Sequence, residues 1–467
     1  MNWLTFVNRQ RLQREFAKID WRGELVATVG CFAGISLVRL ISSVTLTRIL
    51  YPEAYGIVVM MSMAAYVLEM VSDIGATALL VRHARGRDPA FLHTVWSVRF
   101  LKGLLNAAIL FFAAPWIANW YQTPLLELSL RIFSLTFLIK AVESMTFLLA
   151  MRDQRSRVIS YAELISACIS TTFVIVYSYF SRDHYGMIFG MILNTLCVVS
   201  ISYIRTDRVW PKFMLEKDAV KEIFGFAKYV TPSSIVTIFV SQFDKIIFLK
   251  LFDLRLMGLY GVANGIAGPV ESLGTRINHM VLYPRCAKYF REDPDNVANR
   301  YYKENYKLLA LIIALPAIVA GLASPIIQLL FDARYAGAAV VIQAFCLRGV
   351  LLAFAGPSEN LLVAAGNPKM VLIGNLLRLL WLVPASLIGF HYWGFHGFVF
   401  AAAFDVAPLV AFLWYQRSLG KLINFRNEMI MICYAISVFS VCWLIGLKMS
   451  GVIELIKTSL RIYMSGH

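Results

Sequence analysis

Residues 25–84 constrain the fold more than any other stretch. Two long apolar segments meet at a turn of about six residues around Tyr51-Pro52-Glu53. Each arm is longer than the ~20 residues a helix needs to cross a bilayer. So short a turn makes the arms antiparallel neighbours, a helical hairpin through a membrane. Both arms also carry charge, at Arg39, Glu69 and Asp73 among others. Ionisable groups at membrane depth are costly and face a bundle interior or a water-filled cavity. The hairpin therefore predicts a polytopic membrane protein with a polar pathway inside it.

Composition matters here mainly for what it excludes. Charged residues are 15% of the 467, against about 25% in a soluble domain. There is room for a large helical bundle and none for a sizeable soluble domain. The net charge of +16 does not indicate a nucleic-acid partner, because basic loops mark the cytoplasmic side of membrane proteins. The seven cysteines form no CxxC, and all but Cys286 lie in apolar segments. They read as small packing residues, with no disulfide framework or metal site. The histidines form no HExxH, no cofactor signature is present, and no cofactor is expected.

Residues 1–23 lack the compact apolar core and cleavage site of a secretory signal. Their five basic residues, interleaved with Trp3, Leu4, Phe6, Leu12, Phe16 and Ile19, predict an amphipathic segment on the cytoplasmic leaflet. Spans are expected near 25–48, 54–81, 91–118, 125–150, 158–180 and 186–204. Six more are expected near 229–252, 257–283, 308–330, 338–364, 370–390 and 396–415, and a thirteenth at 429–447. The tail 448–467 reads as interfacial, with a fourteenth span as the alternative. The expected division is an N-terminal lobe over 24–208, a cytoplasmic linker over 209–228, a C-terminal lobe over 229–415 and an extra span with its tail over 416–467. With the N-terminus inside, cytoplasmic segments hold 27 Lys and Arg against 7 outside, a strong asymmetry in favour of that orientation.

An internal repeat supports the lobes. Shifted by 202 residues, the opening hairpin falls on 241–286 without a gap: Arg48 meets Lys250, Gly56 meets Gly258 and Glu69 meets Glu271. At an offset of 213, the turn 148–153 meets 361–366. Six spans per half return each half to the same side, so the halves are parallel repeats about an axis normal to the membrane. Transporters are commonly built this way, with the site near the midplane. The fold class expected is all-α, with two six-helix lobes plus one or two C-terminal helices and 12–14 spans in all.

Eighteen charges fall within the expected spans, ten basic and eight acidic, too many for a bundle that faces only lipid. Glu69 and Asp73 are four apart, so they share a helix face. Arg39 lies at mid-depth and is a cavity candidate; Arg48, at a span end, has snorkelling to the interface as its plainer reading. Asp244-Lys245, Arg276 and Arg378 lie deep in the seventh, eighth and eleventh spans, either in a cavity or in buried ion pairs. Lys140 and Glu143 are three apart and suit a pair with each other, while Arg99 and Lys102 read as interfacial. Arg348 and Glu359 lie nearly on one face, three turns apart. His391 and His396 flank an aromatic turn that reads as a membrane-interface belt.

The run Leu46-Thr47-Arg48-Ile49-Leu50-Tyr51-Pro52-Glu53-Ala54-Tyr55-Gly56, then Val71-Ser72-Asp73-Ile74-Gly75 and Val81-Arg82, resembles the opening of the polysaccharide transporter family. These are oligosaccharide flippases of bacterial surface-polysaccharide synthesis, in the superfamily that also holds the multidrug and toxic-compound extruders. Ser241-Gln242-Phe243-Asp244-Lys245, Gly258-Leu259-Tyr260-Gly261-Val262-Ala263 and Ala365-Gly366-Asn367-Pro368-Lys369 resemble the same family's second half. The resemblance covers about residues 24–415; Tyr51 stands where the family more often has Gly.

The resemblance implies a non-enzymatic transporter in the bacterial inner membrane, working by alternating access. Its implied cargo is a lipid-linked oligosaccharide on a polyprenyl diphosphate, and its implied neighbours are membrane lipid, a polysaccharide polymerase and a chain-length regulator. Moving a diphosphate and acidic sugars across hydrocarbon requires a cationic, wet cleft. Arg39, Arg276, Arg378 and Lys245 are the expected substrate contacts; Glu69, Asp73 and Asp244 are the expected coupling or orienting acids. A cation-coupled multidrug extruder of the same fold is the alternative. A membrane-embedded polymerase or ligase would need a large outer loop, and the outer loops here are about five to seven residues.

Overall fold

The computed structural model describes residues 21–76, 79–80, 85–153, 155–204, 210–228, 231, 234–235, 251–364 and 369–465. All regular structure among them is helical. The first helices are α1 Trp21–Ile49, α2 Pro52–Val71 and α3 Pro89–Trp120. After them come α4 Leu125–Phe133, α5 Leu135–Ala141, α6 Thr146–Arg152, α7 Ser156–Ser181 and α8 Tyr185–Ile204. Further on are α9 Leu254–Ile277, a π-helical turn Asn278–Leu282, α10 Tyr283–Glu292, α11 Val297–Gly321 and α12 Ala323–Leu330. The last are α13 Ala338–Ala364, α14 Lys369–Ala403, α15 Ala407–Leu419 and α16 Phe425–Ser465.

Nine described helices are long and apolar enough to cross a membrane. One of these stretches, Ile373–Leu419, runs to 47 residues and holds two of the expected spans, separated where Gly394 leaves helical geometry at φ 57°. The protein is a multi-pass membrane protein. The expected span over 229–252 falls almost wholly outside the described residues, as do most of residues 1–23. α16 runs without interruption from Phe425 to Ser465, through the expected thirteenth span and into the tail.

Helix starts follow ordinary capping chemistry. The Asp88 carboxylate accepts from the Ala90 N–H at 3.3 Å and Pro89 opens α3. The Asp253 carboxylate accepts from the Leu256 N–H at 2.9 Å at the start of α9. Each occupies a donor that the first helical turn leaves without a partner.

Two expected spans are broken, and the breaks shape the site. The second ends at Val71 rather than running to 81. Gly75 takes the left-handed conformation, φ 64°, and its N–H donates to Asp73 Oδ1 at 2.9 Å. Asp73 therefore sits in a turn beyond the helix and does not share a helix face with Glu69. The fourth expected span is divided into α4–α5 and α6, bent by 63°. Breaking a helix orphans carbonyls, and neighbours satisfy them here: Trp96 Nε1 donates to the Glu143 carbonyl at 3.1 Å, and the Tyr203 hydroxyl donates to that of Val142. Ser144 adds a local bond to Thr146 Oγ1 at 2.9 Å, the kind of side-chain competition that weakens helices.

The chain divides into two compact units, one of residues 1–42 and 64–236, the other of 43–63 and 237–467. In the first, Phe91, Val95, Leu80, Met145, Leu148 and Ile223 form a core where α3, α6 and the helical stretch 217–228 meet. In the second, the α1–α2 tip packs on α9. A Cβ placed on Gly56 would come within 2.3 Å of the Leu254 carbonyl oxygen, and one placed on Gly258 within 2.0 Å of that of Pro52. Leu254 and Gly258 stand 202 residues after Pro52 and Gly56. The two helix starts thus cross reciprocally, each glycine admitting the other's backbone, in the register of the sequence repeat. Tyr335 closes the tip: its hydroxyl donates to the Leu50 carbonyl at 3.1 Å and its ring meets that of Tyr55 edge-on at 6.0 Å. Arg334 lies over Tyr51 at 4.6 Å. Asp332 accepts from the Arg334 backbone N–H and from its Nε, each at 2.9 Å, which holds its carboxyl below the usual range.

Candidate functional site

Within the first unit, α2, α3, α5 and the Ser72–Gly75 turn enclose a cavity of about 220 Å³. At ~30 Å³ per water, that is room for a small ionic headgroup or a few waters. Its charged and polar lining comprises Glu69, Asp73, Arg99, Lys102, Asn106 and Lys140.

The breaks in the second and fourth spans set these groups in place. Lys140, on the last turn of α5, donates to Glu69 Oε1 at 2.5 Å. Glu143 lies past the end of α5 and turns to Arg99 on α3, with Nη2 to Oε2 at 2.7 Å. The expected Lys140–Glu143 pair is therefore not formed: the helix ends between them and each carries its charge to a different helix. Asn106 donates to Ser72 Oγ at 2.8 Å. Asp73 is held three ways, by the Gly75 N–H, by Ser234 Oγ on Oδ2 at 3.0 Å, and by Thr231 Oγ1 on its carbonyl at 2.6 Å.

One cation stands apart. Arg99, Lys102 and Asn106 fall on one face of α3, at i, i+3 and i+7. Lys102 makes no hydrogen bond or ion pair with a described residue, although Glu69 and Asp73 act on it across the cavity. More than half withdrawn from solvent, it lines the cavity with an ammonium that has three donors. Arg99 and Lys102, expected at an interface, instead line the cavity.

Of the residues expected from sequence, Glu69 and Asp73 are brought together here. Arg39, on α1, is exposed, and so is Arg276 in the last turn of α9. Arg378 is bonded to Asp405 Oδ2 through Nε at 2.8 Å and Nη2 at 2.5 Å. Asp244 and Lys245 lie outside the described residues. The signal that could have found Lys102 is its α3 spacing. It was masked by the length of that helix, since 32 residues leave the depth of any one position open.

The protein is thus a multi-pass helical membrane protein with a charged internal cavity in its first unit. It superposes on the lipid II flippase MurJ in an inward closed conformation with a TM-score of 0.71, at 14% identity over 95% of this chain and 99% of that one. An inward-facing MATE-family multidrug resistance transporter gives 0.62 at 12% identity, covering 85% of this chain and 98% of that one. The chain belongs to the polysaccharide biosynthesis protein family, whose profile matches residues 45–340. It is 21% identical over 309 residues to the teichuronic acid biosynthesis protein TuaB of Bacillus subtilis, covering 65% of this chain. It is 22% identical over 307 residues to the succinoglycan biosynthesis transport protein ExoT of Rhizobium meliloti, covering 66%. The matched region spans 62% of the length of each of these two relatives.

Proposed function

We propose that the protein moves a polyprenyl-diphosphate-linked oligosaccharide from the inner to the outer leaflet of the bacterial inner membrane, by alternating access of two lobes and with its N-terminus in the cytoplasm. The observation that carries this reading is Lys102 in the first unit's cavity, which bonds to no described residue. Three of the charged residues lining that cavity are basic, Arg99, Lys102 and Lys140, against two acidic, Glu69 and Asp73. A cation pump would favour the reverse balance. Glu69 and Lys140 already bond to each other, so Lys102 is the group available to an anionic headgroup. A hydrogen bond to a charged partner contributes about 1.5–3 kcal/mol, and Glu69 and Asp73 keep the lysine oriented until cargo replaces them. Arg39 in the first unit and Arg276 in the second are both exposed and are further candidate contacts for cargo; Arg378 reaches cargo only if its bond to Asp405 opens. A polymerase and a chain-length regulator would act on the delivered oligosaccharide.

Mass spectrometry of lipids copurifying with gently solubilised protein from its own host tests this. The expected result is enrichment of a polyprenyl-diphosphate oligosaccharide over bulk phospholipid, reduced in Lys102→Ala. Phospholipid alone, together with proton- or sodium-driven dye efflux from vesicles, would overturn it in favour of drug extrusion.

A further inference from the structure

A second concavity of the first unit lies between α3, α4 and α5, an open groove of about 680 Å³. Leu104, Ala107, Ala108 and Phe111 stand on one face of α3, at i, i+3, i+4 and i+7, and the two alanines leave the hollow between their larger neighbours. Leu104, Phe111, Leu128, Leu135 and Leu138 are all exposed. In a chain that spans a bilayer, such a groove opens to lipid.

Arg131 on α4 is the charged residue of the lining. Among the described residues its ion pair is with Glu127, Nη2 to Oε1 at 2.9 Å, and the two side chains are 40% and 38% exposed. Its guanidinium carbon lies 5.4 Å from the ring centre of Phe111 on α3, within cation–π range. Its Nε is buried without a hydrogen-bond partner among the described residues. A guanidinium has five N–H donors, and the single contact to Glu127 leaves most of them open. An exposed i,i+4 pair is weak, while an arginine at membrane depth calls for a counter-charge.

Position along the helices says what that counter-charge belongs to. Trp116 and Trp120, near the end of α3, are exposed and mark the membrane–water interface. Arg131 stands ~9 Å past the start of α4 at 1.5 Å per residue, just below that girdle. From Phe112 to Leu104 the groove runs ~12 Å further along α3, away from the tryptophans. Charge at the interfacial end and an apolar trough leading inward match a lipid of one leaflet. The second unit has a comparable apolar groove, about 610 Å³ between the two arms of α14, with no Lys or Arg among its lining residues. A trough of this kind does not need a cation, so Arg131 adds a preference for charge.

We propose that the α3–α4–α5 groove binds an anionic phospholipid, with an acyl chain in the trough and the phosphodiester on the open edge of the Arg131 guanidinium. Arginine meets phosphate oxygens through its planar fork. A zwitterionic lipid carries the same phosphate with its own cation beside it, which weakens the attraction.

Native mass spectrometry of the purified full-length protein with dioleoyl-phosphatidylglycerol or dioleoyl-phosphatidylcholine tests the site, with thermal melts reading the folding of each variant. Wild type should retain phosphatidylglycerol roughly fivefold more tightly, the effect of one basic residue facing an anionic lipid. Arg131→Gln should lose that preference and still hold phosphatidylcholine as wild type does. Glu127→Gln should strengthen the preference by removing the competing carboxylate. Ala108→Trp, at an exposed position, should fill the trough and weaken both lipids alike. Equal retention of the two lipids by wild type, or a preference that survives Arg131→Gln, would overturn the assignment. Undecaprenyl phosphate displacing phosphatidylglycerol at equal concentration would give the groove to a polyprenyl chain instead. A dimer that disappears in Ala108→Trp would give it to a second copy of this chain, and either result would overturn the phospholipid assignment. Binding is read without transport, so its failure leaves the cargo proposal standing.

Discussion

In the first unit Glu69 on α2 reaches Lys140 on α5; in the second, Glu271 on α9, 202 residues later, reaches Arg348 on α13. The repeat has kept an acid–base bridge between corresponding helices. What differs is the remaining charge. The first unit's cavity is lined by Lys102 and a cavity of about 120 Å³ in the second unit by Glu359, neither of which bonds to a described residue. A duplicated scaffold has thus kept its bridge while the charge at one lining position differs between the halves. The bridges also differ in depth, with side-chain exposures of 50% and 38% for Lys140 and Glu69 against 11% and 29% for Arg348 and Glu271.

Reversing the spare charge should break the contrast most severely. Lys102→Glu would give the first cavity a net negative lining, and export of lipid-linked oligosaccharide should fall by at least about tenfold, ~1.4 kcal/mol of lost interaction, with expression unchanged. Complementation of a flippase-deficient host reads this; full export by the variant would remove Lys102 from the mechanism. Next in size is Arg348→Ala. It strands Glu271 in a mostly enclosed site and should lower thermal stability by about 2 kcal/mol, less than for a fully buried pair. Gly258→Ala and Gly56→Ala should cost similar amounts, about 1–3 kcal/mol each from overpacking, in melts of the purified protein. A large inequality between them would argue against the reciprocal crossing. Lys140→Ala should cost less than about 1 kcal/mol, because its pair is half in water. Smallest is Asp332→Asn. Its carboxyl is held low in the folded state, so its contribution exists above the unfolded value of about 3.9 and is lost as pH falls through the folded one. The variant should therefore differ slightly from wild type at neutral pH and converge with it in acid.

The spans were legible because a bilayer demands long apolar runs, and the hairpin 25–84 supplies two. The breaks were not, because what permits them comes from elsewhere in the chain. Trp96 and Tyr203 satisfy the carbonyls of Glu143 and Val142 from 47 and 61 residues away, and no local propensity reports that. The site followed suit. Glu69 and Asp73 could be picked out as intramembrane acids, but their partners could not. Spacing on an unbroken helix pairs Lys140 with Glu143, and the end of α5 cancels that rule. The glycine register at 56 and 258 was visible as a repeat, while its meaning as a backbone contact needed the fold.

That contact has a mechanical consequence. Most helix pairs meet through side chains that can change rotamer and act as shims, so the pair can slide by small amounts. At Gly56 and Gly258 main chain meets main chain, and no rotamer exists to absorb a partial displacement. Such a joint behaves as a detent: α2 and α9 are either seated or apart, and intermediate positions have nothing to rest on.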